Sequence, residues 1–175
     1  MTDSASPAII VRELLQRIRR TPDCVVMSST GSAKVDPGHH IPADLRVLYQ
    51  QCGGAHLFRD APFPWRLCGP ADLVPASPRL LTEDIAREVC MEMPDDLTNS
   101  CYVIADGGGA STDPHVVIDL HPARKGRCYL VSWETYGVIG EMPVVATSVP
   151  ELLRWLLDTG GEDLTSAPWK GDAYG

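Results

Sequence analysis

At 175 residues, with 44% hydrophobic and 22% charged residues, the chain has the size and composition of one globular domain, long enough to bury about two thirds of its unfolded surface. Its net charge of −8 and pI near 5.0 argue against direct nucleic-acid binding, which runs on Lys and Arg neutralising phosphates, and suit a basic partner instead. No apolar run approaches the roughly 18 residues of a membrane span, so no membrane association is expected.

The opening "MTDSASPAIIVRELLQRIRR" is acidic at its start and charged through its apolar part, so it does not read as a secretory signal. The six cysteines, Cys24, Cys52, Cys68, Cys90, Cys101 and Cys128, are evenly spread, form no C-x-x-C pair and mostly fall inside apolar patterns. Buried free thiols in a reducing compartment, the cytoplasm, are the expectation.

Ser6 and Pro7 open a first helix in which Ile10, Val11, Leu14, Leu15 and Ile18 share one face. After "CVVM", the run "SSTGSAKVDPGHH" has loop composition and no period. In "IPADLRVLYQQCGG", Pro42 opens a second helix with Leu45, Leu48, Tyr49 and Cys52 inward, and Gly53 is placed for a left-handed C-terminal cap. Three prolines break the stretch from Phe58 to Val74 around a short strand at Trp65 to Cys68. In "TEDIAREVCMEM", Thr82 is the N-cap of a third helix, Ile85, Val89 and Met93 line up at i, i+4, i+8, and Glu88 and Glu92 occupy the other face.

From Cys101 the period changes to that of strands: "CYVIA", "HVVIDL", "RCYLVSW" and about "GVIGEMPVVAT", with connections too short for a crossover helix. That predicts an antiparallel meander. A last helix begins at "SVPELLRWLL", where Ser148 and Glu151 match a capping box and Val149, Leu152, Leu153 and Leu156 form the apolar stripe. Gly160 and Gly161 end it, and 162–175 reads as a polar tail with two aromatics, Trp169 and Tyr174. The fold class is α+β: a mostly antiparallel sheet, a meander in the C-terminal half, covered by helices and closed by a C-terminal helix.

Candidate chemistry is thin. In "IADGGGASTDPHVVIDL" the triglycine precedes a strand, whereas a phosphate cradle needs a helix N-terminus there, and no nucleotide-loop motif fits. The glycines read as a hairpin connection with positive φ. His115, Asp119 and His121 share a strand face by even spacing, but His115 and Asp119 lie roughly 13 Å apart at about 3.3 Å per residue. A solvated strand face is the ordinary reading of that row, and no metal or cofactor is expected. No G-x-S-x-G elbow is present, so no catalytic residues are assigned and the chain is not expected to be an enzyme. The acidic stretch Glu83, Asp84, Glu88, Glu92, Asp95 and Asp96, offset only by Arg87, is the candidate contact surface for a cationic partner, since opposed fields raise association rates and fix register.

Three segments resemble the SUKH superfamily, which includes the yeast cell-wall-synthesis regulator family and many bacterial toxin-immunity proteins. They are "IPADLRVLYQQCGG", "CYVIADGGG" with "HVVIDL", and "VVATSVPELLRWLLD", in the family's order from about Ile41 to Asp158. The chain departs from the family at Cys52-Gly53-Gly54, where Asn usually precedes the glycine, and in the longer hairpin turn with its "ASTDP" insertion. The resemblance implies one SUKH-like domain over 1–161, without catalytic apparatus, acting as an immunity protein that binds and neutralises a toxin. A basic toxin domain such as a nuclease is the implied partner. The alternative is a regulatory protein-interaction module unrelated to toxins; a metal-binding protein or hydrolase is the third reading.

Overall fold

A computed structural model describes residues 6–108, 113–162 and 169–175. Ser6 and Pro7 start α1 (Pro7–Arg20) as the sequence predicts, although the Ser6 hydroxyl makes no capping bond, and Val11, Leu14, Leu15 and Ile18 are its buried face. In α2 (Ala43–Gln51), Leu45, Leu48 and Tyr49 point inward. In α5 (Val149–Asp158) the Ser148 half of the capping box forms, its hydroxyl accepting from Glu151 N, while the Glu151 carboxylate reaches back one residue further, to Thr147 N at 2.7 Å. One carboxylate ties the two N-termini together, since Asp44 accepts from Leu45 N at 2.8 Å and from Val149 N at 2.9 Å. Negative charge is favoured at both positive helix ends.

These three helices cover one face of an eight-stranded antiparallel sheet. Its strands are β1 (Val25–Val26), β2 (Ala55–Leu57), β3 (Trp65–Leu67), β4 (Val74–Pro75), β5 (Cys101–Gly107), β6 (His115–Asp119), β7 (Cys128–Val131) and β8 (Val144–Ala146). The order is β1-β2-β3-β5-β6-β7-β8, with β4 continuing the line of β3 along β5. The predicted meander is therefore present, and the fold is α+β. The main core joins the three helices to Tyr102, Ile104, Val116, Ile118 and Cys128.

The second face is covered by less regular structure. Short α3 (Ser77–Leu80), a 3-10 turn at Leu97–Ser100, the 132–143 connection and the end of the tail pack over Val103, Val117, Tyr129 and Val131. Tail residues extend the sheet beyond β8, with Val144 N donating to Gly171 O at 2.8 Å and Lys170 N to Val144 O at 3.0 Å. That pairing occupies an edge otherwise open to another chain.

Several expectations change. Gly53 is not left-handed: Cys52 is the C-cap of α2, and the positive φ falls on Gly54 at 117°. A Cβ on Gly53 would collide with the backbone carbonyl of Ser28, so this glycine permits a close crossing of two chains. Neither Gly107 nor Gly108 has a positive φ; Gly108 instead lies against the Trp65 backbone and donates to Pro64 O at 2.8 Å. Gly109 and the Ala110 to Thr112 part of the insertion lie outside the described residues. The strand expected from Gly137 is limited to Val144–Ala146, because Gly137 and Gly140 adopt left-handed backbone at φ 83° and 84°. The aperiodic 28–40 run is pinned at its end, where the Tyr102 hydroxyl accepts from Asp36 N at 2.9 Å and His40 N donates to Leu120 O at 2.8 Å.

Candidate partner-binding surface

The acidic stretch forms α4 (Glu83–Glu92), an amphipathic helix with no buried residue. Thr82 stands at its N-cap position but makes no side-chain capping bond. The stripe of Ile85, Val89 and Met93 is largely open: Ile85 and Met93 are about half exposed and Val89 is only partly buried, while Met91, on another side of the helix, is 75% exposed. A helix with an apolar stripe normally buries it. Here α3 is its neighbour, and four residues of α3 are too few to cover the stripe. The helix exit is nevertheless fixed, because the Asn99 amide donates to Met93 O at 2.8 Å and to Pro94 O at 3.3 Å.

Glu83, Asp84, Glu88, Glu92 and Asp95 are all exposed. Arg87, the cation of the helix, is engaged by Glu83 at 3.3 Å and Asp84 at 3.8 Å; such exposed pairs contribute little stability. Among the described residues Glu88, Glu92 and Asp95 form no ion pair, which leaves their field unneutralised. Asp96 is turned inward, where its carboxylate accepts from Thr98 N at 2.9 Å, Thr98 Oγ1 at 2.6 Å and the Tyr174 hydroxyl at 3.2 Å.

The row His115, Asp119 and His121 is not a solvated face. His115 and Asp119 are buried, because the even spacing puts both on the side covered by α3, the 132–143 connection and the tail. Asp119 is fully committed: it accepts from Ser100 Oγ at 2.8 Å, His121 N at 2.9 Å, Tyr129 OH at 3.2 Å and the Arg124 guanidinium. Burial, then the Asp119 carboxylate, push the Tyr129 hydroxyl up, which keeps it a donor. His115 pairs elsewhere, its Nδ1 2.9 Å from Asp113 Oδ1, near a second buried carboxylate, Asp106, held by Arg66 at 2.5 Å and Arg79 at 3.4 Å. His121 is exposed and joins His39, Asp95, Asn99 and Arg124 around a polar cleft of about 380 Å³. Among the described residues no group of three or more His, Cys, Asp or Glu is arranged to hold a metal.

Four thiols, Cys52, Cys68, Cys101 and Cys128, are buried as expected, but Cys24 is half-buried and Cys90 on α4 is exposed. Burial pushes the Cys68 thiol up to about 12 and those of Cys52, Cys101 and Cys128 upward as well, so these four are poor nucleophiles.

The buried imidazole carries a pH prediction. Burial lowers the pKa of His115, with Arg79 acting in the same direction, against the opposing pull of Asp113 and Asp106. The unfolded chain therefore takes up this proton first. The resulting stability is complete above the ordinary imidazole value of about 6.5 and is lost as pH falls through the lower folded value. A thermal melt is expected to shift downward between about pH 7.5 and about pH 5.5, and His115→Gln is expected to flatten that part of the dependence. An equally steep profile in the variant would assign the effect to other groups.

An exposed apolar stripe rimmed by charge is the anatomy of protein contact sites. The class defined by these features is an α+β protein with a two-sided sheet and an uncovered acidic helix. The chain is similar to immunity protein YokJ of Bacillus subtilis (strain 168), with 32% identity over 168 residues that span 92% of this chain and 93% of the relative. At that identity and coverage it belongs to the YokJ family of immunity proteins. No family model matches the chain, and no solved structure matches it. No helix among the described residues is long and apolar enough to cross a membrane.

The 132–142 segment carries exposed apolar residues that the sequence pattern does not reveal. Its apolar residues were assigned to a strand, yet Trp133, Val138 and Ile139 are exposed. The signal was the glycine pair Gly137 and Gly140, spaced to interrupt a strand.

Proposed function

We propose that the chain is a non-catalytic cytoplasmic immunity protein of the SUKH type, a single domain over 1–161 with a polar tail at 162–175, which binds a cognate toxin and blocks it. The partner in this reading is a basic toxin domain, such as a nuclease whose cationic cleft the acidic surface covers. The observation that carries the reading is α4, an amphipathic helix whose apolar stripe is largely uncovered and whose acids Glu88 and Glu92 form no ion pair among the described residues; membership of an immunity-protein family supports it. The contact residues are Glu83, Asp84, Glu88, Glu92 and Asp95, with Asp96 holding the foot of the helix in place.

The test is the charge-reversed pair Glu88→Lys with Glu92→Lys, titrated against a toxin domain found encoded beside the chain's gene. Both positions are exposed, so folding is retained. Affinity is expected to fall by roughly 10- to 100-fold, chiefly through a slower association rate, and the salt dependence to flatten. Unchanged affinity and salt dependence would remove α4 from the contact surface. A gene neighbourhood with no toxin, together with partners unrelated to toxins, would favour the regulatory module.

A further inference from the structure

We propose that the partner-binding surface has a second arm, the 132–142 segment between β7 and β8, fixed beside the foot of α4 and supplying apolar anchors for the same basic protein partner. This rests on the reading of α4 as a contact surface and extends it to residues outside the acidic stretch. The segment is divided cleanly. Tyr136 and Met142 point inward and are buried, whereas Ile139 is 77% exposed and Trp133 is 65% exposed. The Tyr136 hydroxyl donates to Thr98 O at 3.0 Å, and Met142 N donates to the Asp172 carboxylate at 3.1 Å. The outward side chains thus stand on a frame fixed before any partner arrives, which lowers the ordering cost of binding.

The two arms meet at Tyr174. Its hydroxyl donates to the Asp96 carboxylate at 3.2 Å and lies 3.5 Å from Gly137 O, with Asp96 at the exit of α4 and Gly137 immediately before Val138 and Ile139. Backbone N–H bonds from Tyr174, Gly140, Met142 and Ala173 hold Asp172 below the usual carboxylate range, although burial acts to raise it. The tail is thereby anchored to both arms. Trp and large aliphatic side chains at the centre of a patch, with charge at the rim, are where binding energy concentrates.

Charge selects the occupant. The 132–142 segment contains Glu134 and Glu141 and no Lys or Arg. On α4 itself, Arg87 is held by Glu83 and Asp84. A second copy of this chain would set acid against acid, which costs affinity. The fitting partner is a protein surface with an apolar centre and Lys or Arg around it.

Ile139→Ser and Trp133→Ser, each alone, are titrated by calorimetry against a toxin domain found encoded beside the gene, with Glu88→Lys/Glu92→Lys in parallel. Circular dichroism and melting temperature establish that each variant is folded. Each loop substitution is expected to weaken binding by roughly tenfold or more, mainly through faster dissociation. If the helix variant weakens binding while both loop variants bind as the parent does, the second arm is wrong and the reading of α4 stands. If neither helix nor loop variants change affinity, both assignments fail. Concentration-dependent self-association of the parent chain that Ile139→Ser abolishes would give the patch to a second copy and overturn the proposal.

Discussion

Replacing Asp119 with Ala is expected to destabilise the protein by about 3–5 kcal/mol, the cost of breaking a buried charge pair from one side. Asp119 has no exposed surface, and four donors converge on it: Ser100 Oγ, Tyr129 OH, His121 N and the Arg124 guanidinium. Removing the carboxylate leaves a largely buried cation and a buried tyrosine hydroxyl without their acceptor. Against a total stability of about 5–15 kcal/mol, that is a large fraction, read as a fall in Tm on the order of 10 °C. Asp119→Asn, which keeps the shape but not the charge, is expected to lie between Ala and the parent. Because Arg124 also donates to Ser100 Oγ at 2.8 Å, adding Arg124→Ala to Asp119→Ala is expected to cost less than the two single losses together. Additive losses in that cycle would show that the pair is not coupled.

The second large effect is expected at Gly53. An alanine there places its Cβ against the Ser28 carbonyl, a backbone atom that no side-chain rotamer can move aside. The chains must separate, which strains the hydrogen bonds from Gly53 N to Met27 O at 2.9 Å and from Met27 N to Gly54 O at 2.8 Å. Those bonds continue the pairing of β1 with β2, and Gly69 crosses at the same point, where its own Cβ would meet Gly53 O. Overpacking plus the weakened bonds gives about 2–4 kcal/mol, measurable by denaturant unfolding with an unchanged m-value. Gly31→Ala is the control for chemistry without crowding, since nothing lies within 4 Å of a Cβ there; its φ of 74° leaves only backbone strain. A Gly53→Ala loss no greater than that of Gly31→Ala would remove the close-approach argument.

The four longer helices and the β5 to β7 meander were legible because each is long enough to show a period. Val11, Leu14, Leu15 and Ile18 repeat as a helix face, and His115 to Asp119 lies in an apolar run bounded by turn residues. Elements of two to four residues, β1, β2, β4 and α3, contain too little pattern to be distinguished from loop. The 137–143 run was misread because Val138, Ile139 and Met142 have the composition of a strand, while the conformation was decided by Gly137 and Gly140. Periodicity also specifies which residues share a face without specifying what covers it. For that reason the alignment of Ile85, Val89 and Met93 says nothing of their being left open, and His115 with Asp119, correctly aligned, are expected in solvent but lie buried. The acidic half of the candidate surface was visible as a charge run; its apolar half depends on tertiary packing that leaves a helix stripe and a loop uncovered.

The most direct measurement is rescue of growth when a toxin domain found encoded beside the gene is expressed together with this chain or with Glu88→Lys/Glu92→Lys at matched abundance. Binding and neutralisation through α4 predict that the parent chain restores growth and that the charge-reversed variant, equally abundant and folded, does so much less. Failure of the parent chain to protect, or full protection by the variant, would contradict the account.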